Sequence, residues 1–596
     1  MGKRLIITAV LFGSFFPLIS GSALSGEITK LRISEATERQ RLLAATSPPG
    51  PTATAIPLKP GVILDSPGEM IGTTHYDYQT SGPTGNRVVK DAFGSIHGCW
   101  MNGIREWTGN RWVYYNFRDE AGDWRWPDVG TQVNTTQGAG YTNMDVFSDG
   151  RAAITYHSLG NDLYTVVAID VIRGFGSFTE YDVPDTIGED THSIWPYVAV
   201  DRQERIHIIA HEYAYFEPMR FIYTRSNDGG LTWTPPQVVD TLDVCESAIV
   251  VASSMDDKVA IVYNPRCQHP DVYYNDVYYI ESLDGVNWDW NAKHNITRYD
   301  TSFYRDSISA YYENDAVYDH GGNLHLVWTA LKIDPGAWGR TQAFLFHWSE
   351  ATGINLITKH PDEPGWPPNC NWGSYNLALA KPSIGVDAAN NLFCIFTRFD
   401  STDCSAGGYA NGEIYGSASA DGGVTWGEMV NLTNSPTPGC WPGECDSDHW
   451  SSLAETVDDS LYLLYINDKD AGGIPQWEGT DTENPVMYYA VHKGILLPTR
   501  VDEAKEVEPT AFALMQNHPN PFNATTKISY QLATDGPVKL EIFNLLGEKV
   551  ETVVDEQQTP GEKSVIWDAS GFSSGTYFCK LTAEDLTQIR RMTLLR

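Results

Sequence analysis

Positive charge is scarce in this chain: 41 lysines and arginines stand against 76 aspartates and glutamates, a formal net charge of −35. Binding to phosphate backbones needs a basic footprint, so nucleic acid is excluded as a partner. Long apolar runs are equally scarce. The run from Leu5 to Ile19 is too short to cross a bilayer comfortably, and no later stretch is apolar enough for a membrane helix. No phosphate loop, metalloprotease helix or paired-cysteine zinc motif occurs, and no metal or other cofactor is expected. Gly571-Phe572-Ser573-Ser574-Gly575 fits the esterase nucleophile string, but no helix pattern follows it, so the match is accidental.

What the chain does have is turn formers and aromatics. Glycine and proline number 52 and 33, and aromatic residues make up 12% of the chain, which fits a turn-rich, all-β globular protein. It opens on Met1-Gly2-Lys3-Arg4, an apolar run and the small residues Ser20-Gly21-Ser22-Ala23, the pattern of a secretory signal peptide over 1–23. Residues 24–70 read as a charged segment, with a short helix over Glu27 to Ala45, and a proline-rich linker. In an exported protein the nine cysteines are read first as disulfides. Cys245 and Cys267 flank a turn at Asp256 symmetrically, which predicts a bridge. Cys370, Cys404, Cys440 and Cys445 permit three pairings, of which Cys370 with Cys404 and Cys440 with Cys445 close the shortest loops. Cys99 and Cys394 fall inside strands as buried thiols, and Cys579 has no evident partner.

Two hairpin signatures organise the middle of the chain. Ser226-Asn227-Asp228-Gly229-Gly230-Leu231-Thr232-Trp233 returns as Ser419-Ala420-Asp421-Gly422-Gly423-Val424-Thr425-Trp426, with looser copies at Ser282 to Trp288 and Asp119 to Trp124. The aspartate accepts from the turn's own amides, glycine supplies positive φ, and the tryptophan packs beneath. A second unit, two strands about an aspartate or glycine turn, recurs at Asp91, Asp149, Asp201, Asp256, Asp319, Asp387 and Asp458. The spacing is roughly fifty to seventy residues, as four-stranded blades require. The hairpin resembles the Asp box of sialidase-like β-propellers, with Asp228, Gly230, Trp233, Asp421, Gly423 and Trp426 as its structural residues. The expected fold is therefore an all-β, seven-bladed propeller over 71–498, six blades being the alternative count. Ile71 to Tyr78 is expected to supply the strand that completes the last blade.

Residues 499–511 read as a charged linker. Beyond it, Gln516-Asn517-His518-Pro519-Asn520-Pro521-Phe522-Asn523, Val538 to Gly547, Val565-Ile566-Trp567-Asp568, Ser573 to Phe578 and the ending Arg590 to Leu595 alternate as short strands of a small β-sandwich over 512–596. This segment resembles the type A C-terminal sorting domain of the type IX secretion system. The resemblance implies secretion machinery as partner, export to the outer surface or the medium, and removal of the domain.

Sialidase-like propellers bind ligand on the face opposite their Asp boxes. Here the loops of that face carry aromatic and ionisable residues, including Asp448-His449-Trp450, Arg398-Phe399-Asp400 and Asp190 to Trp195. Arg87, Arg266, Arg305 and Arg398 are the candidates for gripping an acidic sugar, and His157 and His211 fall at equivalent points of successive units. The Arg-Ile-Pro pattern of sialidases is missing, since Val88-Val89 follow Arg87, and the family's enzymes have six blades. A catalytic set is not nameable from the sequence. His97, His207 and His325 share another repeated position, where packing between blades is expected. The leading reading is binding of a glycan or other macromolecule. A sialidase-like glycoside hydrolase and a structural or adhesive surface protein are the alternatives.

Overall fold

The computed structural model describes residues 66–497 and 513–595, less short loop stretches at 81, 104–110, 136–137, 160–162, 185–191, 214–219, 241–243, 269–272, 300–306, 335–336 and 361–368 and scattered single positions near the C-terminus. The signal peptide, most of the 24–70 segment, the 499–511 linker and Arg305 lie outside the described residues, as do the side chains of Cys245, Cys267 and Arg266. The chain divides into two units, 1–498 and 499–596.

Among the described residues seven sheets make up the first, each built on four antiparallel strands, two of them with a short fifth strand added. The first blade holds Val88–Lys90, Ile96–Gly103, Arg111–Arg118 and Thr131–Gln132, and the third holds His192–Val200, Ile206–Tyr213, Arg220–Ser226 and Gln237–Asp240. Each runs in chain order from inner to outer strand. The last blade departs from this rule: Ser447–Leu453, Ser460–Asp468 and Asn484–His492 take their outer strand from the other end of the unit, Glu69–Thr74. That exchange ties the start of the propeller to its end and leaves no open blade edge there. It is the strand the sequence was expected to supply.

Packing between blades makes the core. Val259 to Tyr263, on the second strand of the fourth blade, is buried at every position because neighbouring blades cover both faces, so it reads as a continuous apolar run rather than an alternation. The inner strands also interlock through side chains. Val198 N donates to Asn143 Oδ1 at 3.0 Å, Ile384 N to Asp315 Oδ2 at 2.9 Å, Leu453 N to Ser383 Oγ at 3.0 Å and Arg87 N to Ser452 Oγ at 3.0 Å. Each bond joins one blade to the next, and the last joins the seventh to the first.

The glycine hairpins connect third strands to fourth strands. Asp228 Oδ1 accepts from Thr232 N at 2.8 Å and Oδ2 from Thr232 Oγ1 at 2.6 Å, while Ser226 Oγ accepts from Gly230 N at 2.9 Å. Asp421 repeats the pattern with Thr425 at 2.9 and 2.6 Å. These bonds hold both carboxyls below the ordinary aspartate range; for Asp421 they outweigh the opposing effect of burial. Both hairpins lean on the preceding blade: a Cβ on Gly230 would stand 3.0 Å from the Tyr181 ring, and Trp426 lies 5.4 Å from the His347 ring.

The repeated histidines bond within their own blades. His97 bonds Tyr115 Oη at 2.8 Å and Asp91 at 3.1 Å, and His207 does the same with Tyr223 at 2.8 Å and Asp201 at 3.0 Å. Each histidine braces the turn six residues before it. A buried ring needs a partner for both nitrogens, and its own turn and its neighbouring strand are the nearest. His325 varies the theme with His347 at 3.0 Å and Asp319 at 3.5 Å.

The second unit is a sandwich. One sheet orders Ala513–Leu514, Thr525–Leu532 and Gly561–Asp568; the other orders Lys549–Gln558, Gly536–Asn544, Gly575–Ala583 and Leu586–Leu594. Alternate residues Ile528, Tyr530 and Leu532 face Val538, Leu540 and Ile542 around Trp567. Cys579 is buried in this core between Tyr577 and Leu581, a thiol pushed up to about 12 by burial.

Candidate functional site

The face away from the glycine hairpins is built by the loops that follow second strands and those that enter inner strands. At its edge the inner strands lose register: pairing shifts between Gly140 and Asn143, Ile194 and Tyr197, Ala380 and Ser383, and His449 and Ser452. A bulky residue in left-handed conformation occupies each shift, Tyr141 at φ 57°, Trp195 at 51°, Lys381 at 54° and Trp450 at 59°. Such residues avoid this conformation unless their surroundings impose it, and imposed strain of this kind collects at functional surfaces. Tyr141 and Trp195 lie 6.5 Å apart, and Lys381 Nζ stands 4.6 Å over the Trp450 ring.

A small pocket opens beside Trp450. Tyr78, Trp372, Phe399 and Trp450 give it aromatic walls, and Ser374, Asn376, His449 and Asp468 give it polar groups. Tyr78 meets Trp450 edge-on at 4.9 Å, and His449 lies 4.5 Å from Trp450 and 5.2 Å from Phe399. His449 uses both nitrogens, toward Thr397 Oγ1 at 2.9 Å and Asn376 Oδ1 at 3.3 Å, and burial together with Lys381 holds it well below the usual imidazole range. The enclosed volume, about 20 Å³, is room for a water or two rather than a whole ring.

Carboxylates back it. Burial and the charge of Asp77 raise Asp468 well above its ordinary range, and burial, with Glu478 nearby, raises Asp77 to about 8. Ile474 N donates to both oxygens of Asp77, at 2.9 and 3.1 Å. Glu478 staples two loops, accepting from Ser374 N at 2.9 Å, Ser374 Oγ at 2.6 Å and Gly473 N at 3.2 Å. Disulfides fix the rim: Cys370 to Cys404 and Cys440 to Cys445, the pairing of shortest closures. Two tryptophans stand out on it, Trp441 at 67% exposure and Trp477 at 79%.

The candidates named from sequence fall in different places. Arg87 is buried and donates to Gln79 O at 2.6 Å. Arg398 lies against Tyr415 on the next strand of its blade and pairs with Asp400, two residues along its own strand. These two do not share a partner. His157 and His211 are brought together, one on each side of Trp195: Trp195 N lies 3.5 Å from His157 Nδ1, and the Trp195 and His211 rings are 5.9 Å apart. Both are held low by burial, His211 to about 4. Among the described residues no group of histidine, cysteine, aspartate and glutamate side chains is arranged to hold a metal ion. Of the pocket residues, Phe399, His449 and Trp450 lie in loop segments singled out in the sequence; Trp372, Asn376 and Asp468 do not. Two cysteines with tryptophan close behind, Cys370-x-Trp372 and Cys440-Trp441, were the available signal.

Residues 517–594 match the family described as the secretion system C-terminal sorting domain. The chain thus carries a type IX secretion address, engages that machinery, and is delivered to the outer surface or the medium. No helix among the described residues is long and apolar enough to cross a membrane. No curated protein matches the chain. Among solved structures it is similar to a polysaccharide lyase of family PL25, an ulvan lyase, at 12% identity and a TM-score of 0.46, covering 73% of this chain and 100% of the lyase. It is similar to PorZ, a surface component of the type IX secretion system of Porphyromonas gingivalis, at 11% identity and a TM-score of 0.33, covering 86% of this chain and 60% of PorZ. An α-L-arabinanase of Penicillium chrysogenum gives 11% identity and a TM-score of 0.37, covering 60% of this chain and 94% of the arabinanase. Likenesses this distant carry no functional argument.

Proposed function

We propose that the propeller, over 71–498, is an exported glycan-binding module and that 512–596 is a sorting domain removed after it crosses the outer membrane. One observation carries the reading: the pocket where Tyr78, Trp372, Phe399 and Trp450 surround the polar groups of Ser374, Asn376 and Asp468. Sugar rings present apolar C–H faces and polar edges, and a concave aromatic wall with a few fixed hydrogen-bonding groups complements both. Hydrolysis is the second reading, favoured by Asp77 and Asp468, two buried carboxyls raised above their ordinary range, since a carboxyl that keeps its proton can serve as a general acid. The Asp-box hairpins belong to the opposite face and have a structural role.

The test is a glycan-array screen of the full chain and of its Trp450→Ala and Asp468→Asn variants, run beside an assay for reducing-sugar release. Binding lost in Trp450→Ala supports the binding reading. Release of sugar abolished by Asp468→Asn moves the protein to the hydrolases. Silence in both assays leaves the structural or adhesive class.

A further inference from the structure

Resting on the glycan-binding reading, we infer that the ligand is a neutral polysaccharide chain rather than a terminal or acidic sugar, with Trp441 and Trp477 as stacking platforms outside the pocket. Both tryptophans are well exposed, which is unusual for so large an apolar ring, and both are held by backbone tied to the pocket's own loops. Trp477 closes the short turn Ile474–Gln476, its N–H donating to Ile474 O at 3.0 Å, with φ at 63°. That turn follows Gly472 and Gly473, which line the pocket. Trp441 sits inside the Cys440 to Cys445 loop, where Glu444 N donates to Trp441 O at 2.8 Å and Gly443 N to Lys469 O at 2.8 Å, one residue from the pocket's Asp468. Platforms fixed in advance lose little freedom on binding, and two of them outside a pocket too small for a ring call for a ligand long enough to reach both.

Charge narrows the class. Asp77, Asp468, Asp470 and Glu478 gather behind the pocket, and of these Asp468 lines it. The nearby cations are already engaged: Lys469 pairs with Asp446 at 2.6 Å and Lys381 with Glu313 at 2.7 Å. A uronate or sulfate would bring negative charge to a chain of net charge −35 with both of these cations already paired, whereas neutral hydroxyls find hydrogen-bonding groups in Ser374 and Asn376.

The experiment is titration calorimetry of the full chain with neutral oligosaccharides of glucose, xylose and arabinose from two to six units, and with polygalacturonate and dextran sulfate. Affinity is expected to rise at least tenfold from the shortest to the longest neutral ligand, with the acidic polymers at least tenfold weaker. Trp441→Ala and Trp477→Ala should flatten the length dependence while thermal midpoints stay unchanged. An acidic polymer bound as tightly as the neutral ones, or a length dependence that survives both substitutions, overturns this inference and leaves glycan binding standing. No binding to any of these ligands, or to the array, removes the glycan reading itself.

Discussion

Glu313 and Lys381 form a solvent-excluded ion pair at 2.7 Å, joining the inner strands of the fifth and sixth blades. Glu313 Oε2 also accepts from Lys381 N at 2.9 Å and from Thr329 Oγ1 at 3.1 Å, so the carboxylate is held from three sides. The same ammonium lies over Trp450, which connects this pair to the pocket wall. Removing one partner of a buried pair strands the other. Glu313→Gln is therefore expected to destabilise the protein by about 3–5 kcal/mol, whereas the double variant Glu313→Leu with Lys381→Met recovers most of that loss. Urea unfolding of the three proteins tests it. A single variant no less stable than the wild type would show the pair to be unnecessary.

Neighbouring glycines in the sixth-blade hairpin make a sharper contrast. A Cβ on Gly422, at φ 71°, meets nothing within 4 Å, while one on Gly423, at φ 90°, would stand 2.0 Å from the His347 ring. Gly422→Ala carries only the left-handed backbone penalty, about 1–2 kcal/mol. Gly423→Ala adds displacement of His347, itself bonded to His325, and should exceed the first by about 1–3 kcal/mol. Denaturation midpoints that rank them the other way would show the hairpin to be loosely docked.

Much of this architecture was readable in advance, because a propeller writes its turns at regular intervals and its closure strand has the same apolar pattern as the strand it replaces. The two rim disulfides followed from loop length. The pocket was less legible. Asp77 meets Ile474 across 397 positions of sequence, a contact created only when the ring closes. Asp468 looks like any strand-end aspartate until burial and Asp77 raise it. The histidine repeat was visible as a spacing, but its partners, an aspartate six residues earlier and a tyrosine on the next strand, needed the blade's register.

Stability should fall as pH rises from 5 to 8. Burial, reinforced by the charge of Asp448, raises Glu413 from 4.5 to about 8, against donation from Thr433 Oγ1 at 2.6 Å and Ser435 N at 2.8 Å. Burial raises Asp448 and Asp403 to about 6. A folded pKa above the unfolded one means the folded state holds the extra proton, so the contribution is complete below about 4.5 and is lost as pH climbs through 8. Asp458, lowered to about 2 by Lys90 and its turn against the effect of burial, acts only at far lower pH. Glu413→Gln should flatten the profile. Urea midpoints at pH 5, 6.5 and 8 for both proteins decide it, and an equal slope in the two would place the titration elsewhere.

The two rim disulfides are expected to separate stability from binding. Cys370 and Cys404 close a loop of 34 residues and Cys440 and Cys445 one of 5. On loop-closure entropy alone the first contributes about 4 kcal/mol and the second about 2. The longer bridge anchors Trp372's loop to the sixth blade, where Asn371 N donates to Gly408 O at 2.8 Å and Ala410 N to Asn371 O at 2.7 Å, so part of that arrangement survives without it. The shorter bridge closes the loop that presents Trp441, whose other backbone bonds run from Gly443 N to Lys469 O, Glu444 N to Trp441 O, Ala406 N to Cys440 O and Cys440 N to Thr437 O. Cys370→Ala with Cys404→Ala should thus lower the unfolding midpoint more, and Cys440→Ala with Cys445→Ala should weaken binding of long oligosaccharides more. Calorimetric unfolding and titration of both double variants give the comparison. If the short-loop variant binds long chains as well as the wild type does, the Trp441 platform is set by the backbone contacts rather than by the disulfide.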